Sequence, residues 1–189
     1  MTSTARFEQV VLPHLDAAYN LARWLTRNEA DAQDMVQEAY LRALRFFGGF
    51  HGTDARAWLL TIVRNTCYTC LKRSRSPELS GDFDEVVLTK ESDEPNPEAS
   101  HFLKVQSQLI NEAIEKLPIE FREVVILREL EELSYKEIAS ITGIPIGTVM
   151  SRLSRARKRL FVCLRGVAPK QPAIKCRIEL VQAGNNRVA

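Results

Sequence analysis

Between Ser76 and Leu103 the chain carries eight anions, one cation, three prolines and a glycine, with no sustained apolar period. Such a stretch cannot bury enough apolar surface to offset the entropy lost on ordering it. It therefore reads as a linker over residues 74–98, dividing an N-terminal unit from a C-terminal one. Charge follows the same division. Residues 1–75 sum to +3, 76–103 to −7, 104–133 to −3 and 134–189 to +9, so a net charge of only +2 conceals a strongly basic C-terminal third.

Outside the linker the apolar residues recur at helical spacing. In the first unit, Leu21, Leu25, Ala32, Met35, Val36, Ala39, Tyr40 and Leu44 fall mostly three and four apart, and Asn28 stands where a helix N-cap belongs. Three glycines in "FFGGFHGTD" (46–54) interrupt the pattern before "ARAWLLTIVRNTCYTCLKR" resumes it. In the second unit, Phe102, Val105, Leu109, Ala113 and Leu117 mark one helix, and Phe121, Val124, Val125, Leu127 and Leu130 mark the next, with Pro118 in its first turn. No strand pair or repeat stands out, so the fold class expected is all-α: two small helical domains on either side of a flexible acidic linker.

"SYKEIASITGIPIGTVMSRLSRARKRL" is the most informative stretch. Ser134 and Glu137 form an S-x-x-E capping box that starts a short helix, and Gly143 permits the left-handed turn after it. Two helices joined by such a turn are the helix-turn-helix plan of DNA readers. In the second helix, Val149, Leu153, Ala156 and Leu160 form the stripe expected to be buried. Met150, Ser151, Ser154, Arg155 and Lys158 occupy other faces, near the end that enters a major groove. Arginine there can pair with guanine, whereas Arg152, Arg157 and Arg159 suit phosphates.

Other chemistries find little support. No run of eighteen apolar residues exists, and the N-terminus lacks the apolar stretch of a signal peptide, so no membrane insertion and a cytoplasmic location are expected. Cys67 and Cys70 form a C-x-x-C, but no second pair or nearby histidine completes a tetrahedral metal set. Packing thiols are the expected reading of Cys67, Cys70, Cys163 and Cys176, with a metal or thiol switch as the alternative. No cofactor, metal or covalent chemistry is expected.

By these residues the chain resembles the bacterial sigma-70 family of RNA polymerase sigma factors, in its extracytoplasmic-function (ECF) subgroup. "LPIEFREVVILRELEELSYKEIASITGIPIGTVMSRLSRARKRL" is similar to the family's −35-reading domain, and "DAQDMVQEAYLRALRFFGGFHGTDARAWLLTIVRNTCYTCLKR" to the domain that binds core polymerase and opens the −10 element. The resemblance implies domains at 1–73 and 99–164; the tail at 165–189 extends past it, and is either disordered or docks as a short regulatory helix around "IKCRIELVQA". It assigns core-polymerase binding to Asp31, Asp34, Met35, Gln37, Glu38 and Leu41. It assigns −10 DNA to His51, Gly52, Thr53, Asp54, Arg64, Asn65, Lys72 and Arg73. It assigns −35 DNA to Thr148, Met150, Ser151, Arg152, Ser154, Arg155, Lys158 and Arg159. Trp58, Phe46, Phe47 and Phe50 are expected mainly to pack. The implied partners are core RNA polymerase, promoter DNA and an anti-sigma factor. A free-standing helix-turn-helix activator or repressor is the alternative, but it has no need of the "HGTDARAWLLTIVRN" segment. Many relatives carry arginine where Met150 stands, and methionine cannot make paired bonds to guanine.

Overall fold

The computed structural model of the chain describes residues 3–52, 54–74 and 107–165. The first stretch forms α1 (Ser3–Val11), a 3-10 turn (Leu12–His14), α2 (Leu15–Thr26), α3 (Glu29–Phe46) and a second 3-10 turn (Phe47–Gly49). Next comes α4 (Ala55–Ser74). In the C-terminal stretch, α5 is helical over 107–115. Then α6 (Ile119–Val125) runs directly into a π-helical turn (Ile126–Leu130), followed by α7 (Tyr135–Thr142) and α8 (Ile146–Arg165). Among the described residues there is no strand.

Local chemistry sets the helix ends. Asn28 Oδ1 accepts from the Asp31 backbone N–H at 3.1 Å, and Glu29 and Asp31 place negative charge at the positive end of α3. Pro118 takes the cap position just before α6, one residue outside the first turn where its sequence placed it.

The inward positions of α3 are Ala32, Val36, Ala39 and Ala43. Leu44 lies about 100° around the helix from Ala43 and is 45% exposed, despite its place in the apolar pattern. Phe46 is likewise 63% exposed, against the packing role expected of it, because the chain tightens into the 3-10 turn and Phe47 takes the inward place. Phe47 then packs edge-on to Phe7, while Phe50 lies 4.7 Å from the Trp58 ring. Trp58 is thus a member of a half-buried aromatic cluster.

α4 is the central helix. Leu59, Leu60, Val63 and Cys67 are all fully buried on it, since α2 and α3 cover one side and α7 covers another. A helix covered on several sides needs apolar residues on more than one stripe. Through α4 one continuous apolar core runs from Phe7 to Leu160.

The two halves of the chain are therefore in direct contact, α2 on α6 and α4 on α7, rather than standing apart. Linker residues 75–98 and the tail from 166 onward lie outside the described residues, as do Phe102, Val105 and Cys176. Among the described residues, no helix is long and apolar enough to cross a membrane.

Candidate nucleic-acid interface

The helix-turn-helix forms as its residues dictate. The Ser134 Oγ accepts from the Glu137 N–H at 3.3 Å, and Glu137 Oε2 accepts from the Ser134 N–H at 2.7 Å, completing the capping box. These bonds hold the Glu137 carboxyl below its ordinary pKa, with the Ser134 side chain the larger cause. Gly143 closes α7 at φ 69 with its N–H on the Ala139 carbonyl at 2.9 Å, a conformation that an L side chain resists. The Arg128 guanidinium stacks 5.1 Å from the Tyr135 ring and donates to the Leu133 carbonyl at 2.8 Å, tying the preceding turn to the start of α7.

On α8 the four stripe residues Val149, Leu153, Ala156 and Leu160 are all buried. Ser151, Ser154, Arg155 and Lys158 face solvent, Met150 is 49% exposed, and Thr148 and Arg152 are half-buried. Two neighbouring arginines are partly engaged within the fold. Arg157 donates to Glu129 at 2.7 Å, and the Arg159 guanidinium lies 5.0 Å over the Phe121 ring. The face left exposed is a short cationic strip with one apolar methionine in its first turns.

On the first module, the exposed side of α3 carries Asp31, Asp34, Gln37 and Leu41. Glu38 sits beside them, paired with Arg42 at 2.7 Å. Met35 is partly buried against the core and contributes less to that surface. His51, Gly52 and Asp54 form an exposed loop before α4; Thr53 lies outside the described residues. A Cβ on Gly52 would stand 3.0 Å from Cε2 of the Phe50 ring, so glycine lets the loop pass its own aromatic cluster. Asp54 Oδ1 accepts from the Ala57 N–H at 2.9 Å and caps α4, so the side chain expected to read a base also holds a helix end. Asn65, Lys72 and Arg73 are exposed along α4.

Arg64, the remaining cation of that set, is engaged. Its Nε donates to Glu123 Oε1 at 2.5 Å, and the Tyr68 hydroxyl donates to Glu123 Oε2 at 3.2 Å. Glu123 is fully buried; burial raises its pKa against the opposing pull of Arg64 and then Tyr68. A second pair joins Arg56 to Glu131, to which Asn20 Nδ2 also donates at 3.4 Å. Next to Glu123, Arg122 is 5% exposed, and its Nε and Nη1 have no hydrogen-bond partner. Burial, with repulsion from Arg27, pushes its pKa down to about 10.

None of Arg56, Arg122, Glu123 or Glu131 was singled out by sequence reasoning. The available signal was positional: Arg122 and Glu123 interrupt an apolar run, "FREVVIL", that allows no solvated helix face.

The architecture is that of a sigma-70 protein: a helical module with an acidic-apolar outer helix, followed by a helix-turn-helix reader. Residues 10–76 match the family Sigma-70 region 2, and residues 107–160 match Sigma-70, region 4. Over 139 residues the chain is 37% identical to the ECF RNA polymerase sigma-E factor of Escherichia coli K12, covering 69% of this chain and 72% of that protein. It is 33% identical over 157 residues to the ECF RNA polymerase sigma factor SigE of Mycolicibacterium smegmatis, covering 82% of this chain but 60% of the relative's length. Its fold is similar to that of the sigma factor RpoE of Bartonella quintana, solved in complex with the anti-sigma factor NepR. The TM-score is 0.70 and the identity 32%, over 86% of this chain and 99% of that one. The chain belongs to the ECF RNA polymerase sigma factors.

Proposed function

We propose that this chain is a promoter-specificity subunit. It binds core RNA polymerase, reads −35 duplex DNA and captures opened −10 DNA, without covalent chemistry of its own. The observation that carries this reading is the division of labour on α8: its apolar stripe holds the fold while Ser151, Ser154, Arg155 and Lys158 face solvent. Thr148, Met150, Ser151, Arg152, Ser154, Arg155, Lys158 and Arg159 are assigned to the −35 element. His51, Gly52, Thr53, Asp54, Arg64, Asn65, Lys72 and Arg73 are assigned to the −10 element. Opening that element costs a few kcal/mol per flipped base, which contacts from the loop and α4 offset.

Asp31, Asp34, Gln37, Glu38 and Leu41, with a smaller part for Met35, are assigned to the polymerase. The domains lie at 1–73 and 99–164, with linker 74–98 and tail 165–189. Each module alone binds weakly, and holding both on one polymerase raises the effective concentration of each at the promoter. The protein acts in the cytoplasm. Release from an anti-sigma factor controls it, supported by the Bartonella relative, whose structure was solved with one.

The test is reconstitution with core polymerase on a promoter library. The expected outcome is open-complex formation at a discrete set of sequences with paired −35 and −10 elements. No association with core polymerase at moderate salt would overturn it.

A further inference from the structure

The contact between the modules follows a simple register. Arg56 pairs with Glu131 and Arg64 with Glu123, so positions eight apart on α4 meet Glu123 on α6 and Glu131, the residue that closes its π-helical turn, in opposite directions. Eight residues of helix span about 12 Å, so the carboxylates clamp the arginines at both ends of the contact. Both carboxylates are deeply buried, with side-chain exposures of 5% for Glu131 and 0% for Glu123. A carboxylate and a phosphate present similar oxygen acceptors to guanidinium. The C-terminal module therefore offers α4 a substitute for a nucleic-acid backbone.

Arg122 opposes this arrangement. It follows Phe121 and precedes Glu123, and two of its nitrogens are buried without a hydrogen bond. Arg27 at the end of α2 and Tyr68 on α4, both in the N-terminal module, lie near enough to act on its charge, as does Glu115 at the end of α5; Arg27 opposes the charge, and Glu115 and then Tyr68 favour it. Two buried guanidinium nitrogens without a hydrogen bond are unfavourable even with the Glu115 carboxylate acting on the charge, and they recover hydration when the surface over them is removed. Neighbouring residues thus act in opposite senses, Glu123 to close the contact and Arg122 to loosen it.

We propose that the contact between the modules is a self-competing closed state, in which Glu123 and Glu131 occupy Arg64 and Arg56 in place of DNA phosphates and Arg122 keeps the closure weak enough to be displaced. The competition with DNA rests on the promoter-binding role proposed above for Arg64; the closure itself does not. Only the open fraction is competent for DNA, so apparent affinity scales with that fraction.

The experiment uses the full chain with fluorophores at exposed Gln33 and Ser140, reporting the separation of α3 and α7 in the absence of polymerase and DNA. Glu123→Gln is expected to lower the closed fraction. It should raise affinity for core polymerase and for single-stranded −10 DNA by about tenfold, following the open fraction. Arg122→Met, which keeps the bulk and removes the buried charge with its unbonded nitrogens, is expected to raise the closed fraction and weaken both by a similar factor. The double swap Arg64→Glu with Glu123→Arg is expected to restore the short distance while −10 binding stays lost, which separates closure from the DNA contact. A helical signal retained in each variant excludes simple unfolding. Unchanged distances in Glu123→Gln and Arg122→Met, or opening caused by Arg122→Met, would overturn the proposal. Distances that shift as expected without any polymerase binding would leave the latch standing and remove the promoter function instead.

Discussion

Arg157 reaches back from α8 to donate a 2.7 Å hydrogen bond to Glu129, at the π-helical turn. The bond raises the arginine's already high pKa. One cation of the basic helix is thereby drawn toward the fold, while Lys158 beside it has its charge in solvent. Replacing Arg157 by alanine is expected to cost no more than about 1 kcal/mol of stability, as for an exposed pair, and to leave the salt slope of −35 DNA binding nearly unchanged. Lys158→Ala is expected to leave stability alone and to reduce that slope by about 1. Titrations of a −35 duplex at several salt concentrations, with urea melts of the same proteins, check both.

Glu132 holds φ 54 without being glycine. An L side chain in that left-handed region is held against its preference by about 1–2 kcal/mol. Glu132→Gly is expected to stabilise the protein by about 0.5–1 kcal/mol after the added flexibility of the unfolded chain is subtracted. Denaturant midpoints at unchanged slope measure it, and a lowered midpoint would show that the Glu132 side chain has a compensating contact.

The capping box makes a pH prediction. Its bonds to Ser134 hold the Glu137 carboxyl below the ordinary glutamate value of 4.5. Its contribution is therefore fully present above about 4.5 and is lost as pH falls through the lowered folded value. NMR titration of Glu137 is expected to show that depressed midpoint, and Ser134→Ala is expected to return it toward 4.5. The same substitution is expected to cost about 1 kcal/mol near neutrality.

Thiol reactivity follows burial. Cys163 is exposed, whereas Cys67 is buried and its thiol is pushed up to about 12, chiefly by desolvation. Alkylation of the native protein at pH 8, mapped by mass spectrometry, is expected to label Cys163 early and Cys67 only on unfolding. Early labelling at Cys67 would mean that α4 is not packed as described.

Much of this molecule was legible in its sequence because the relevant forces are local. The Ser134–Glu137 box, the Gly143 turn, the Asn28 cap and the four-residue stripe on α8 each involve neighbours within a few turns, and all are observed. Leu44 and Phe46 misled because the apolar pattern does not reveal which side of α3 is covered, nor that the 3-10 turn gives the inward place to Phe47. The contact between modules was hidden for another reason. Arg64 and Glu123 are 59 positions apart and Arg56 and Glu131 are 75 apart, and a charge in a sequence is first read as solvated. The groove-facing residues of α8 were legible from the helix-turn-helix pattern itself, whereas the binding roles on α3 and α4 came from family resemblance, which geometry alone does not supply.

The apolar stripe of α8 faces inward while Met150, Ser151, Ser154 and Arg155 touch solvent. Side chains that bear on the scaffold are thus separate from those to which the proposed function gives the choice of an address on the genome. On that proposal, descendants of this chain can exchange the second group and acquire new target genes while the same machine carries them there.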